Sequence, residues 1–280
     1  MFAQLRFASV PLYLHEWLWR VSRDYTRQPD NYIALVTETL NRFSDVLFVT
    51  LNYDTLLDNV LAAYSPLSTL EDYVAFPREW ALYKLHGSVN WGQPVAFTPD
   101  NYLYDDYLNG YLSELGRRRR PLELNSISPI VRLPDSESLS SYRVSEGGLT
   151  YPALSAPLGP DDEIRCPAPH VESLRQRLTQ QDGLMLIVIG YSGIDNEVLK
   201  LFWDSHNTLT ALIVVDVAED AAERTKQAIL HAFRPQDDPY GRVHIEDGFN
   251  GYVQSGRLVL DLEWFAGDIA GFPPVRRSDA

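Results

Sequence analysis

Cysteine is almost absent from this chain of 280 residues: Cys166 stands alone. A single thiol excludes both an internal disulfide framework and a four-cysteine zinc module. Long apolar runs are missing too. No stretch is long enough to span a bilayer, and no secretory signal pattern is seen, so the cytoplasm is the expected compartment and a membrane is not an expected partner. Positive charge is scarce: 24 Lys and Arg against 38 Asp and Glu give a formal net charge of −14. Broad nucleic-acid binding needs clustered cations to neutralise phosphates, so that class is disfavoured. The one basic run, Arg117 to Arg120, reads as solvated loop charge. A small anionic ligand stays open, because backbone amides at helix starts bind phosphate whatever the net charge.

What is present is ordinary globular material, 45% hydrophobic and 22% charged, enough for one large domain with or without an insertion. Aromatic residues make up 12% of the chain, and such rings bury in a core or against a partner. Leu14, Trp17, Leu18 and Val21 recur at helical spacing, and a second helical pattern runs from about Asn31 to Phe43. Val46 to Leu51 is a short, β-branched apolar run that reads as a buried strand. A helix follows, with Asp54 as its N-cap. Ala81 to Leu85 reads as a second strand, ending at His86-Gly87. From Trp91 to Pro169 the chain is rich in Pro, Tyr, Ser, Asp and Gly, with short apolar runs such as Ile127 to Leu133. We expect residues 92–169 to be an insertion or small subdomain covering the site, since structureless loops of that length are uncommon. Regular pattern then returns: a helix over Val171–Leu178, the strand Leu184–Ile189, a helix over Ile194–Trp203, a strand over Thr210–Asp216 and a helix over Ala218–Leu230.

Apolar strands alternating with amphipathic helices mean parallel βαβ units. The expected class is α/β, a Rossmann-like doubly wound parallel sheet over residues 1–272, with a loose tail at 273–280. In such sheets ligands bind beyond the carboxyl ends of the strands. Those positions hold Asn52-Tyr53-Asp54, His86-Gly87-Ser88-Val89-Asn90, Gly190-Tyr191-Ser192-Gly193 and Asp216. Each has a plain structural reading: Asn52, Asp54 and Asp216 as helix caps, His86 as a satisfied core histidine, Gly190 and Ser192 as a turn. Their order and placement together point to a crevice.

These segments resemble the sirtuin family. Thr50-Leu51-Asn52-Tyr53-Asp54-Thr55-Leu56 is similar to its Thr-Gln-Asn-Ile-Asp-Gly-Leu motif, Leu85-His86-Gly87-Ser88 to the segment with its catalytic histidine, and Gly190-Tyr191-Ser192 to its Gly-Thr-Ser segment. Leu-His-Gly-Ser-Val-Asn-Trp and Gly-Tyr-Ser resemble the divergent bacterial branch, whose members often act as NAD⁺ hydrolases in antiphage defence. The resemblance implies NAD⁺ as substrate and Asn52, Asp54 and His86 as the catalytic group. Asn52 would hold the nicotinamide-side ribose and a water, Asp54 the carboxamide, and His86 would be the general base towards a ribose hydroxyl. It implies nucleotide contacts at Thr50, Gly87, Ser88, Gly190 and Ser192. Asp216 joins them on physical grounds, as an acidic strand-end residue able to accept from ribose hydroxyls.

Two departures from the family pattern are plain. Without four cysteines there is no zinc module, which weakens a protein-deacylase reading. The family's opening strand and glycine-rich loop also lack a counterpart: residues 1–45 contain no glycine, and no Gly-x-Gly-x-x-Gly occurs. We therefore expect a fragment of a longer protein, with completion by a partner or second copy, or a degenerate site, as the alternatives. The leading functional expectation is NAD⁺ hydrolysis to nicotinamide and ADP-ribose. The main alternative is a non-catalytic module binding NAD⁺ or ADP-ribose within a larger complex, as a homo-oligomer or with a defence-system partner.

Overall fold

A computed structural model describes residues 10–25, 30–75, 78–95, 130–133, 149–155, 166–180, 183–205, 208–233, 240–245 and 248–267. The Arg117–Arg120 run, most of the 92–169 segment and the 273–280 tail lie outside the described residues.

The chain is α/β. Two helices, α1 (Val10–Tyr25) and α2 (Asp30–Leu40), precede strand β1 (Val46–Thr50); α3 (Leu56–Ala62) and a short 3₁₀ turn lead to β2 (Trp80–Lys84). Strand β3 (Gly87–Val95) follows β2 almost at once and pairs antiparallel with β4 (Val131–Arg132) and β5 (Leu149–Leu154). Then come α4 (Ala168–Gln180), β6 (Leu184–Ile189), α5 (Asn196–Ser205), β7 (Leu209–Val215), α6 (Glu219–Phe233), β8 (Tyr240–His244), α7 (Gly248–Gln254) and α8 (Arg257–Ala266). β1 and β2 run parallel, as do β6, β7 and β8 in that order. The βαβ reading is thus realised as two parallel half-sheets with an antiparallel sheet beside them.

The antiparallel sheet refines the sequence reading of a change of character at Trp91. β3 begins at Gly87, and Trp91, Leu133, Ala153 and Leu154 are buried. The described part of the long middle segment is therefore bound into the body of the fold. Beyond Leu230, β8, α7 and α8 follow among the described residues. Tyr-Gly-Arg-Val-His carries too little apolar periodicity to read as a strand from sequence alone.

Side-chain alternation covers both faces of the β6–β8 sheet. Leu212 and Val214 point into one cluster with Val198, Leu201, Phe202, Ile229 and Phe233, from α5 and α6. Ala211, Ile213 and Val215 point into another with Tyr252, Leu258, Leu262 and Trp264, from α7 and α8. Each large apolar side chain so buried contributes roughly 1.5–3 kcal/mol. β6 divides the same way, with Leu184, Leu186 and Val188 towards the first cluster and Met185, Ile187 and Ile189 towards the second. Yet β6 is mostly half-buried where β7 is almost wholly buried. With both faces covered, that exposure comes through its edge: among the described residues β6 pairs only with β7, and β1 only with β2. β1 shows the same signature, Val49 being 38% exposed, while all five residues of β2 are buried.

Candidate functional site

The carboxyl ends of β1, β2 and β6 come together. Leu85 donates its N–H to the Thr50 carbonyl at 3.1 Å and Val89 to the Tyr53 carbonyl at 2.9 Å, so the loop after β1 lies along the β2–β3 turn. The Tyr53 and His86 rings stack with centroids 6.4 Å apart. His86 Nε2 lies 2.6 Å from Asp195 Oδ2, in the loop after β6.

Within the first loop, Asn52 is exposed. Its backbone N–H donates to Thr50 Oγ1 at 3.0 Å and its side-chain amide to the Tyr32 hydroxyl at 3.3 Å. Tyr32, on α2, packs edge-on against Phe249. Burial, with the Asp54 charge behind it, holds the Tyr32 phenol above its ordinary range, so it stays a neutral partner for the amide. Asp54 Oδ1 accepts the Leu56 N–H at 3.0 Å, but the N-cap position of α3 belongs to Thr55, which makes no side-chain cap bond. The cap expected at Asp54 is therefore displaced by one residue, and its carboxylate closes a local turn instead. Beneath this loop a fully buried Lys84 donates to the Asp54 carbonyl and, at 2.8 Å, to Asp58 Oδ2. Tyr73 donates to Asp58 Oδ1 at 2.7 Å. This polar group under the site holds the backbone at Asp54 in place.

His86 is 8% exposed, and its carbonyl accepts the Ser155 N–H at 2.9 Å. Gly87 follows with φ +86°; a Cβ there would lie 1.8 Å from the Ala153 carbonyl oxygen. Only glycine lets β5 approach this closely and keeps the histidine turn shaped as it is. Ser88 is fully buried, and its hydroxyl donates to the Tyr53 carbonyl at 3.4 Å, so it touches the first loop from within.

The loop after β6 is braced from behind. Thr225 of α6 donates to the Tyr191 carbonyl at 2.6 Å, and a Cβ on Gly193 would meet Thr225 Cα at 3.0 Å. Gly190, at φ +62°, has nothing within 4 Å of a would-be Cβ and therefore borders open space. Ser192 is exposed. Burial, then the Asp195 charge, pushes the Tyr191 phenol up. Asp216 stands at the end of β7, where its Oδ1 accepts the N–H groups of Val217 and Ala218 at 2.7 and 3.3 Å. α6 begins at Glu219, so Asp216 closes the turn ahead of the helix and is not its N-cap, which corrects the capping role open for it in the sequence.

Residues 46–123 match the family model for a SIR2-like domain. The match takes in β1, β2 and β3 and with them Asn52, Asp54 and His86. The α/β architecture with parallel sheets agrees with a Rossmann-like SIR2-like fold. No curated protein and no solved structure matches the chain.

Three residues at this site escaped the sequence reading: Asp195, Tyr32 and Lys84. Asp195 is six positions beyond the last residue of β6, where it reads as an unremarkable helix start. Tyr32 is hidden in an amphipathic helix. Lys84 was the one legible signal, a lone cation inside an apolar strand, which demands a buried partner.

Proposed function

We propose that this chain carries the active site of an NAD⁺ hydrolase that cleaves the nicotinamide–ribose bond, acting in bacterial antiphage defence. The observation that carries the reading is that the loop with Asn52 and Asp54 lies along the turn with His86, at adjoining strand ends within the SIR2-like segment. The Leu-His-Gly-Ser and Gly-Tyr-Ser wording supports the defence role by its likeness to the divergent bacterial branch.

In this reading NAD⁺ and water give nicotinamide, ADP-ribose and a proton. Nicotinamide leaves with the electron pair of the glycosidic bond, and the ribose carbon passes through an oxocarbenium-like state before water adds. Asn52, exposed and steadied by Tyr32, holds the ribose and the water; Asp54 holds the carboxamide; His86 takes a proton from a ribose hydroxyl. Thr50, Gly87 and Ser88 shape the loops around them. Gly190 and Ser192 face the phosphate or ribose oxygens, and Asp216 uses its second oxygen for the adenosine ribose.

The test is nicotinamide release from NAD⁺, followed by chromatography, for the chain itself and for a longer form bearing a glycine-rich strand and loop. Turnover that vanishes in His86→Ala supports the hydrolase. Turnover unaffected by His86→Ala refutes it.

Among the described residues no strand pairs with the second edge of β1 or β6, which favours a second reading, a binding module that a further polypeptide completes, either a second copy or a partner protein. Calorimetry that finds ADP-ribose binding without turnover would select that reading.

A further inference from the structure

The contact between His86 and Asp195 joins residues 109 positions apart and links the β2–β3 turn to the start of α5. Both side chains are buried, at 8% and 7% exposure. The two oxygens of Asp195 have separate tasks. Oδ1 accepts the Val198 N–H at 3.0 Å, as an N-cap does for the third residue of a helix, and Oδ2 meets His86 Nε2. A carboxylate has only lone pairs to offer, so both neighbours donate to it and Nε2 carries the imidazole proton. The N-terminus of α5 favours a negative charge at that spot, and the cap bond fixes the carboxylate's rotation. No hydrogen bond among the described residues engages Nδ1.

We propose that Asp195 is the positioning residue for His86: it holds the ring in the Nε2–H tautomer and leaves the Nδ1 lone pair as the basic atom presented to the substrate. This rests on the hydrolase reading and deepens it, because a base needs its lone pair aimed at the proton it removes. A helix cap alone would not require the second oxygen to be spent on a histidine.

Two substitutions separate orientation from capping. Serine caps as well as aspartate, so Asp195→Ser keeps the bond to Val198 and removes the acceptor for His86. Asparagine also caps, but with its oxygen on Val198 it turns an NH₂ towards Nε2, which must then accept, moving the ring proton to Nδ1. The expected result for both variants is a fall in kcat of about 10²- to 10⁴-fold, the range of a general base, with KM changed by less than about threefold and melting lowered by no more than about 12 °C, the cost of one buried hydrogen bond left unmade. Nitrogen-15 spectra of histidine-labelled protein, with His86 assigned by substitution, should show Nε2–H in the parent chain and Nδ1–H in Asp195→Asn. Near-parental kcat in both variants, or Nδ1–H in the parent, overturns the proposal. If the parent releases no nicotinamide in any form, the hydrolase reading alone is lost, and the nitrogen spectra still decide the tautomer.

Discussion

Replacing Lys84 with Met should destabilise the protein more than replacing Lys84 and Asp58 together with Met and Leu. Lys84 has no solvent exposure, Asp58 is 3% exposed, and their charged atoms are 2.8 Å apart. Removing the lysine leaves a buried carboxylate with the Tyr73 hydroxyl as its remaining side-chain partner. Stranding one member of a buried ion pair costs about 3–5 kcal/mol, whereas replacing both members by apolar groups of similar volume is often close to neutral. The double variant does lose the donor to the Asp54 carbonyl and the acceptor of the Tyr73 hydroxyl, each worth about 1–3 kcal/mol if left unmade. Tyr73 has a replacement at hand. Asn90 Nδ2 approaches its hydroxyl at 3.4 Å while Asn90 Oδ1 is buried without a partner among the described residues, so a flip of that amide supplies an acceptor. The double variant should therefore be more stable than Lys84→Met by about 1–2 kcal/mol. Urea unfolding read by circular dichroism and tryptophan fluorescence, with coincident transitions as the two-state check, measures both. In melting temperature the single variant should fall by roughly 6–20 °C. A cost below about 1 kcal/mol for Lys84→Met, or a double-variant cost equal to the sum of the singles, would refute the reasoning.

Burial lowers the His15 pKa from 6.5 to about 4, against the opposing pull of the Val89 carbonyl. The unfolded chain therefore takes up its proton first as pH falls. Stability from this group is complete above about pH 6.5, is lost between pH 6.5 and 4, and loses no more below that, a change of roughly 3 kcal/mol. Urea midpoints across that range should flatten in His15→Gln, and an equally steep profile in the variant would count against this origin. His170, also lowered by burial, adds loss of the same sign. Gly87→Ala would set a side chain at φ +86° against the Ala153 carbonyl, and we expect a loss of about 3 kcal/mol or more, read as soluble yield and melting temperature. Parental melting in that variant would mean that β5 yields far more easily than its packing indicates.

The parallel core was legible because its strands are buried on both faces. Leu184 to Ile189 and Ala211 to Val215 are unbroken apolar runs, and the structure places strands over Leu184–Ile189 and Leu209–Val215. Boundaries moved where side chains compete with backbone pattern. The helix read from Asp54 begins at Leu56, since the aspartate closes its own turn first. Trp91 opens a segment dense in Pro, Tyr, Ser, Asp and Gly, which by itself suggests no strand. The pairing of β3 with β5 places it at zero exposure all the same, and such antiparallel pairing depends on a distant strand that no local window contains.

The same limit explains which parts of the site were readable. Asn52, Asp54 and His86 stand just after strands, positions that a strand pattern predicts, while their proposed roles come from the family resemblance. Asp195 meets His86 but is made relevant only by that residue, 109 positions away. The Asp45–Arg177 pair, with Asp45 directly before β1 and Arg177 in α4 ahead of β6, is equally invisible from sequence. These two contacts have a common consequence. They link the β1–β2 and β6–β8 half-sheets at opposite ends of their strands, while β1 and β6 make no ladder with each other among the described residues. Because His86 and Asp195 come from different half-sheets, anything that shifts one half against the other stretches the 2.6 Å contact and frees the imidazole to turn. In the hydrolase reading, the orientation of His86 therefore depends on the two half-sheets keeping their present spacing.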